Sequence, residues 1–147
     1  MMIDIKHIIA IFLTSITPIL ELRGGMLLAW TLGMPWWISF LTCVIGSTIL
    51  GTLAFLIGDF IILILRYIFP SYINKLQNKK KQFIENYEKL GYIALTLFVG
   101  IPLPGTGAFT GALIAGLLEL NPIKTILSLL FGNILAALIL SIFFFIR

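Results

Sequence analysis

The stretch from Met26 to Phe69 constrains this 147-residue chain most, because its only ionisable side chains are Cys43, Asp59, Arg66 and Tyr67. Its uncharged part exceeds the roughly 20 residues of helix that cross a hydrocarbon core. A water-soluble domain carries about 25% charged residues, since its surface must face solvent. Here 11% are charged and 60% are hydrophobic. The chain therefore reads as an integral membrane protein. Asp4 and Lys6 stand where a signal peptide would be basic, and no Ala-x-Ala-like site follows, so the first apolar segment is expected to stay. Cys43 is the only cysteine and His7 the only histidine, which leaves no intrachain disulfide and no metal cage of the Cys/His type.

Charges, glycines and prolines cut the apolar sequence into pieces of two lengths. Trp36 to Gly58 and Pro122 to Phe145 are long enough to span at about 1.5 Å per residue. Ile8 to Leu20, Met26 to Met34, Tyr92 to Ile101 and Ala108 to Leu118 are short, roughly 14 to 20 Å of helix against a core of about 30 Å. Short pieces in pairs suggest re-entrant hairpins, each breaking near the midplane and leaving by the face it entered. Pro18 and the run Glu21-Leu22-Arg23-Gly24-Gly25 break the first pair. Pro102, Pro104, Gly105 and Gly107 break the second. Six ordinary but thin helices are the simpler alternative.

Between the halves, Ser71 to Leu90 holds five lysines against Glu85 and Glu88. Ile73, Leu76, Phe83, Ile84, Tyr87 and Leu90 recur at helical spacing, which predicts an amphipathic helix on the membrane surface. The lysines place it in the cytoplasm by the positive-inside rule.

Displacing the chain on itself by 86 residues brings Pro18 onto Pro104, Gly25 onto Gly111, Ala29 onto Ala115 and Gly46 onto Gly132. Each half then reads hairpin, turn with proline, long helix. A hairpin crosses zero times and a long helix once, so the second hairpin would enter from the opposite face. The expected fold is an all-α polytopic membrane protein: one domain, with repeat A over 7–58, an amphipathic connector over 59–90 and repeat B over 91–147. The two repeats would be inverted, a plan common in secondary transporters.

In such a plan both broken tips meet near the midplane, and helix N-termini there suit an anion. Arg23, Gly24, Gly25, Gly105, Thr106, Gly107 and Thr110 are the candidate substrate-binding residues, the glycines alternatively serving only turns and tight helix packing. Charges at membrane depth mark a pathway, a proton relay or a paired counter-ion. Glu21 is the candidate proton-coupling group and Arg23 the anion holder, unless the two merely pair. Asp59 and Glu119 read as interfacial. The sequence has no P-loop, no His/Asp cluster and no Ser/His arrangement for hydrolysis, so no enzyme and no cofactor are expected.

The segments Pro18-Ile19-Leu20-Glu21-Leu22-Arg23-Gly24-Gly25 and Ile101-Pro102-Leu103-Pro104-Gly105-Thr106-Gly107-Ala108-Phe109-Thr110-Gly111-Ala112 resemble the two signature segments of the small multi-drug export protein family. That family is similar to the DedA-like (SNARE-associated, VTT) superfamily, as a distant member. The resemblance covers essentially the whole chain. It implies facing re-entrant hairpins in an inverted repeat, movement of phospholipids or undecaprenyl phosphate between leaflets, and use of the proton-motive force. The superfamily's embedded acid and arginine correspond to Glu21 and Arg23. Its further arginine near the second hairpin has no counterpart: none lies between Arg66 and Arg147, and Phe109 stands where Arg23 maps in the repeat.

The expected function is thus a secondary transporter or flippase for an anionic solute, first of all a lipid phosphate such as undecaprenyl phosphate or a phospholipid, coupled to protons. An exporter of lipophilic cationic drugs and a non-transporting scaffold are the alternatives. Expected partners are membrane lipids and the anionic lipid or small-molecule substrate, without nucleic acid; self-association into a homo-oligomer stays open. The expected location is the plasma membrane of a bacterium or archaeon.

Overall fold

A computed structural model describes residues 4–103 and 105–145, without the side chains of Tyr72, Leu76, Gln77, residues 79–87 and Phe145. Among the described residues six helices follow in order: α1 (Ile5–Ile16), α2 (Glu21–Thr31), α3 (Trp36–Ile68), α4 (Pro70–Gly100), α5 (Ala108–Leu117) and α6 (Pro122–Phe145). Their ends follow local chemistry. The Asp4 carboxylate caps α1 by accepting from Lys6 N–H at 3.0 Å. Thr17, which precedes Pro18, is forced into extended backbone and ends that helix. Pro70 opens α4 and Pro122 opens α6, at positions where a missing N–H costs nothing. Asn121 Oδ1 then accepts from Ile123 and Lys124 N–H at 3.1 and 3.2 Å.

Two helices, α3 with 33 residues and α6 with a 23-residue apolar stretch, are long and apolar enough to cross a membrane. By contrast α1, α2 and α5 have 12, 11 and 10 residues, about 15 to 18 Å of helix. None of these three reaches across a core of about 30 Å.

The short helices α2 and α5 end alike. After α2, Leu32 N–H donates to Leu28 O and Met34 N–H to Ala29 O, around Gly33 at φ 65°. After α5, Leu118 N–H donates to Ile114 O and Leu120 N–H to Ala115 O, around Glu119 at φ 50°. The same left-handed C-cap therefore closes both short helices. Glycine adopts that conformation freely; Glu119 adopts it while pairing with Arg66 of α3.

Packing crosses between the halves: α2 lies on α3 and α6, and α5 lies on α3. One apolar cluster joins Ile11, Leu22, Met26, Ala29, Val44 and Ala137; another joins Ala54, Phe55, Val99, Ala112, Ala115 and Leu129. The α3–α5 crossing is close enough that a Cβ on Gly58 would meet Leu113 O at 2.5 Å. Large apolar side chains such as Leu41, Ile45, Leu53, Phe60, Phe131 and Ile142 point outward, as lipid-facing residues do.

Between the two long helices, buried Asn133 binds across to α3. Its Oδ1 accepts from the Ser47 hydroxyl at 3.1 Å, and its Nδ2 donates to Thr48 Oγ1 at 3.0 Å. Replacing Asn133 by alanine strips Ser47 and Thr48 of their partner. It is expected to lower stability by about 1 kcal/mol, from two interhelical hydrogen bonds at about 0.6 kcal/mol each in a membrane protein. Thermal unfolding in detergent checks this.

Two boundaries differ from the expectation. The predicted surface helix and the first arm of the second hairpin form one continuous α4, because Gly91 alone weakens a helix without ending it. Glu21-Leu22-Arg23-Gly24-Gly25 is helical, and the break lies just before it, over Thr17 to Leu20. Gly25 is retained in α2 because it packs without a side chain against Ser15 and Cys43; a Cβ there would sit 2.8 Å from the Cys43 sulfur. Pro104 itself, the side chains of the lysine run 79–81 and those of Leu76, Phe83, Ile84 and Tyr87 on the expected apolar face lie outside what the structure describes.

Candidate functional site

Glu21 opens α2 at φ 49°, a left-handed conformation unusual for a residue with a side chain. That irregularity has a consequence. On a regular helix, residues i and i+2 point apart, yet here Arg23 Nη1 donates to Glu21 Oε2 at 3.3 Å. The pair is buried unequally, with side-chain exposure of 6% for Glu21 and 22% for Arg23.

Both residues also reach the second chain break. The other carboxylate oxygen, Oε1, accepts from Phe109 N–H at 3.0 Å, so a residue of α2 caps the N-terminus of α5. Arg23 Nη2 donates to Ile101 O at 3.1 Å and to Thr106 Oγ1 at 2.9 Å. The Thr106 hydroxyl has Leu103 O at 2.9 Å and Ile101 O at 2.7 Å as its own acceptors. Gly107 lies against the Glu21 carboxylate, and a Cβ at this position would overlap it. The glycine is what lets the acid approach the helix end.

A cavity of about 630 Å³ opens beside the pair. Its polar wall is Glu21, Arg23 and Thr110, with Gly24, Gly105 and Gly107; its apolar wall includes Leu27, Leu140 and Phe144. That volume suits a drug-sized ligand. Pro18 and Pro102 border it where the helices break.

The structure thus gathers Glu21, Arg23, Gly24, Gly105, Gly107 and Thr110 around one space, and places Thr106 behind Arg23. Gly25 faces the α1–α3 packing, and Pro104 lies outside the described residues. The two helix N-termini do not both offer free donors. Glu21 occupies Phe109 N–H, while Glu21 N–H and Gly24 N–H go to Thr17 O and Leu20 O. Sequence reasoning missed Leu27, Leu140 and Phe144, which carry no motif, and the main-chain groups of Ile101 and Phe109, which no residue type announces. It also missed the partnership of Arg66 with Glu119, which lie far apart along the chain.

Short helices broken beside a buried acid–arginine pair, packed on two helices long enough to span, define a helical membrane protein with a cavity beside that pair. The chain belongs to the family described as "Putative small multi-drug export protein", whose model matches residues 21–139. The match begins at Glu21 and takes in Arg23, the second break and most of α6. No curated protein and no solved structure gives a match.

Proposed function

We propose that this chain is a multi-pass secondary transporter, not an enzyme, that moves an anionic amphiphile across the membrane, with a lipid phosphate such as undecaprenyl phosphate or a phospholipid as the leading substrate class. The observation that carries this reading is the unequal burial of the charged pair. Arg23 is the more accessible member, and the cavity beside it is lined largely by apolar side chains. A guanidinium there suits an oxyanion head, and Leu27, Leu140 and Phe144 suit a hydrocarbon tail. Glu21, buried against Arg23 and the start of α5, is the group that would exchange a proton with the transported anion.

In this reading α1–α2 and the end of α4 with α5 are re-entrant hairpins of an inverted repeat. Two contacts support that arrangement. Glu21 lies against Gly107, and Ser47 bonds Asn133, and both pairs are separated by 86 residues. Residues equivalent by an internal two-fold touch each other only near its axis. The plasma membrane of a bacterium or archaeon is the proposed location, with the lysine-rich middle of α4 and Lys124 on the cytoplasmic side. Lys124 Nζ lies 2.5 Å from Glu88 Oε1, which puts the start of α6 beside that part of α4.

The test is reconstitution into liposomes with labelled undecaprenyl phosphate or phospholipid. Arg23→Ala and Glu21→Gln should each reduce transbilayer movement at least tenfold. Unchanged movement in both overturns the assignment. Export of lipophilic cations is the second reading, favoured by the family's description and by the presence of Glu21. It would be supported by cation efflux that Glu21→Gln abolishes while lipid movement is unaffected. Variants that alter stability but no flux of either kind would indicate a scaffold.

A further inference from the structure

The start of α5 already holds a carboxyl group, and that group belongs to the chain. Glu21 Oε1 takes Phe109 N–H at 3.0 Å and Oε2 takes Arg23 Nη1 at 3.3 Å. One main-chain donor and one guanidinium converging on two oxygens is the arrangement that carboxylates and phosphate monoesters select. The cradle is bare of side chain at Gly107, and it borders the 630 Å³ cavity. Arg23 does not depend on Glu21 for its position, since Nη2 is tied to Ile101 O and Thr106 Oγ1. Its Nε is buried without a partner. The guanidinium would stay in place were the carboxylate to leave.

We propose that Glu21 is a built-in stand-in for the substrate's head group, and that an anionic amphiphile binds by displacing its carboxylate from Phe109 N–H and Arg23. The head then occupies the cradle and the tail lies along Leu27, Leu140 and Phe144. Glu21 and the bound anion exclude one another, so the empty site is closed by the protein itself. This rests on the anion reading above. A lipophilic cation behaves oppositely, because it needs the carboxylate in order to bind.

The experiment is a titration of the purified full-length protein, in a neutral detergent at fixed pH and salt, with dodecyl phosphate below its micellar concentration. Dodecyltrimethylammonium supplies the same tail with a cationic head. Glu21→Gln keeps an oxygen for Phe109 N–H and removes the charge. It should bind dodecyl phosphate at least tenfold tighter than wild type, and Arg23→Gln should bind at least tenfold weaker. If Arg23→Gln weakens binding but Glu21→Gln does not strengthen it, displacement is overturned and the anion reading stands. If neither wild type nor Glu21→Gln binds the phosphate, or Arg23→Gln binds it as well as wild type, both fall. Tighter binding of the ammonium compound by wild type than by Glu21→Gln, with no phosphate binding, also overturns both. A second readout needs no change at Glu21. In protein labelled with ¹⁵N-phenylalanine, the Phe109 amide resonance, assigned through Phe109→Leu, should shift at saturating dodecyl phosphate. A stationary resonance under those conditions overturns displacement.

Discussion

Arg23→Ala is expected to destabilise the protein by about 3 kcal/mol, and Glu21→Gln in the same chain is expected to restore most of that loss. Removing one member of a buried ion pair strands the other charge, which costs roughly 3 to 5 kcal/mol. The lower end applies because the Arg23 side chain keeps 22% of its exposure. Three links disappear together: the pairing with Glu21, the bond to Ile101 O and the bond to Thr106 Oγ1. The last two join α2 to the break between α4 and α5, so the loss should loosen that junction as well as the pair. Neutralising Glu21 removes the stranded charge but returns neither link, so recovery should be incomplete. Thermal unfolding of the detergent-solubilised single and double variants measures it. Equal midpoints for Arg23→Ala and the double variant would show that the two charges are not coupled.

Gly116→Ala should have a comparable effect through backbone contact alone. At the α3–α5 crossing, a Cβ on Gly116 would overlap Phe55 O and come within 2.8 Å of Asp59 N and 3.0 Å of Gly58 Cα. No rotamer change relieves this, because the opposing atoms are main chain. The helices must separate, taking apart the cluster of Ala54, Phe55, Ala112 and Ala115. A loss of about 2 to 3 kcal/mol follows from overpacking of this kind. Gly91→Ala supplies the opposite case. Gly91 lies within α4 with nothing near its Cβ position, so alanine should stabilise the helix by about 0.5 to 1 kcal/mol. Opposite shifts in unfolding temperature for these two glycine-to-alanine changes would separate helix propensity from helix packing.

Much of this arrangement is written locally. A proline forces the residue before it into extended backbone, and a chain in hydrocarbon must close its hydrogen bonds within each helix. Pro18, Pro35, Pro70, Pro102 and Pro122 therefore announce where helices stop and start, while length and apolarity together mark α3 and α6 as long enough to span and leave out the equally long but lysine-rich α4. The acid and arginine stand out for the same reason, because charge is costly at that depth. Glycine is less legible, because one residue type serves unrelated ends. Gly33 permits a left-handed turn, Gly25 and Gly116 permit helix contact, and Gly91 does neither. Composition does not distinguish these, and so Gly24-Gly25 read as a break where α2 is continuous.

The sequence by itself determined that the chain is helical, apolar and interrupted at Pro18, next to the charged residues Glu21 and Arg23, because those properties follow from residues a few positions apart. Only the tertiary structure decided what the interruption does. It brings Glu21 onto Phe109 N–H and Gly107, Arg23 onto Ile101 and Thr106, and Ser47 onto Asn133. These partners are about 80 residues apart or more, and several are main-chain atoms that every residue carries. Their meeting depends on how α2, α5 and α6 pack on α3, which no local pattern encodes.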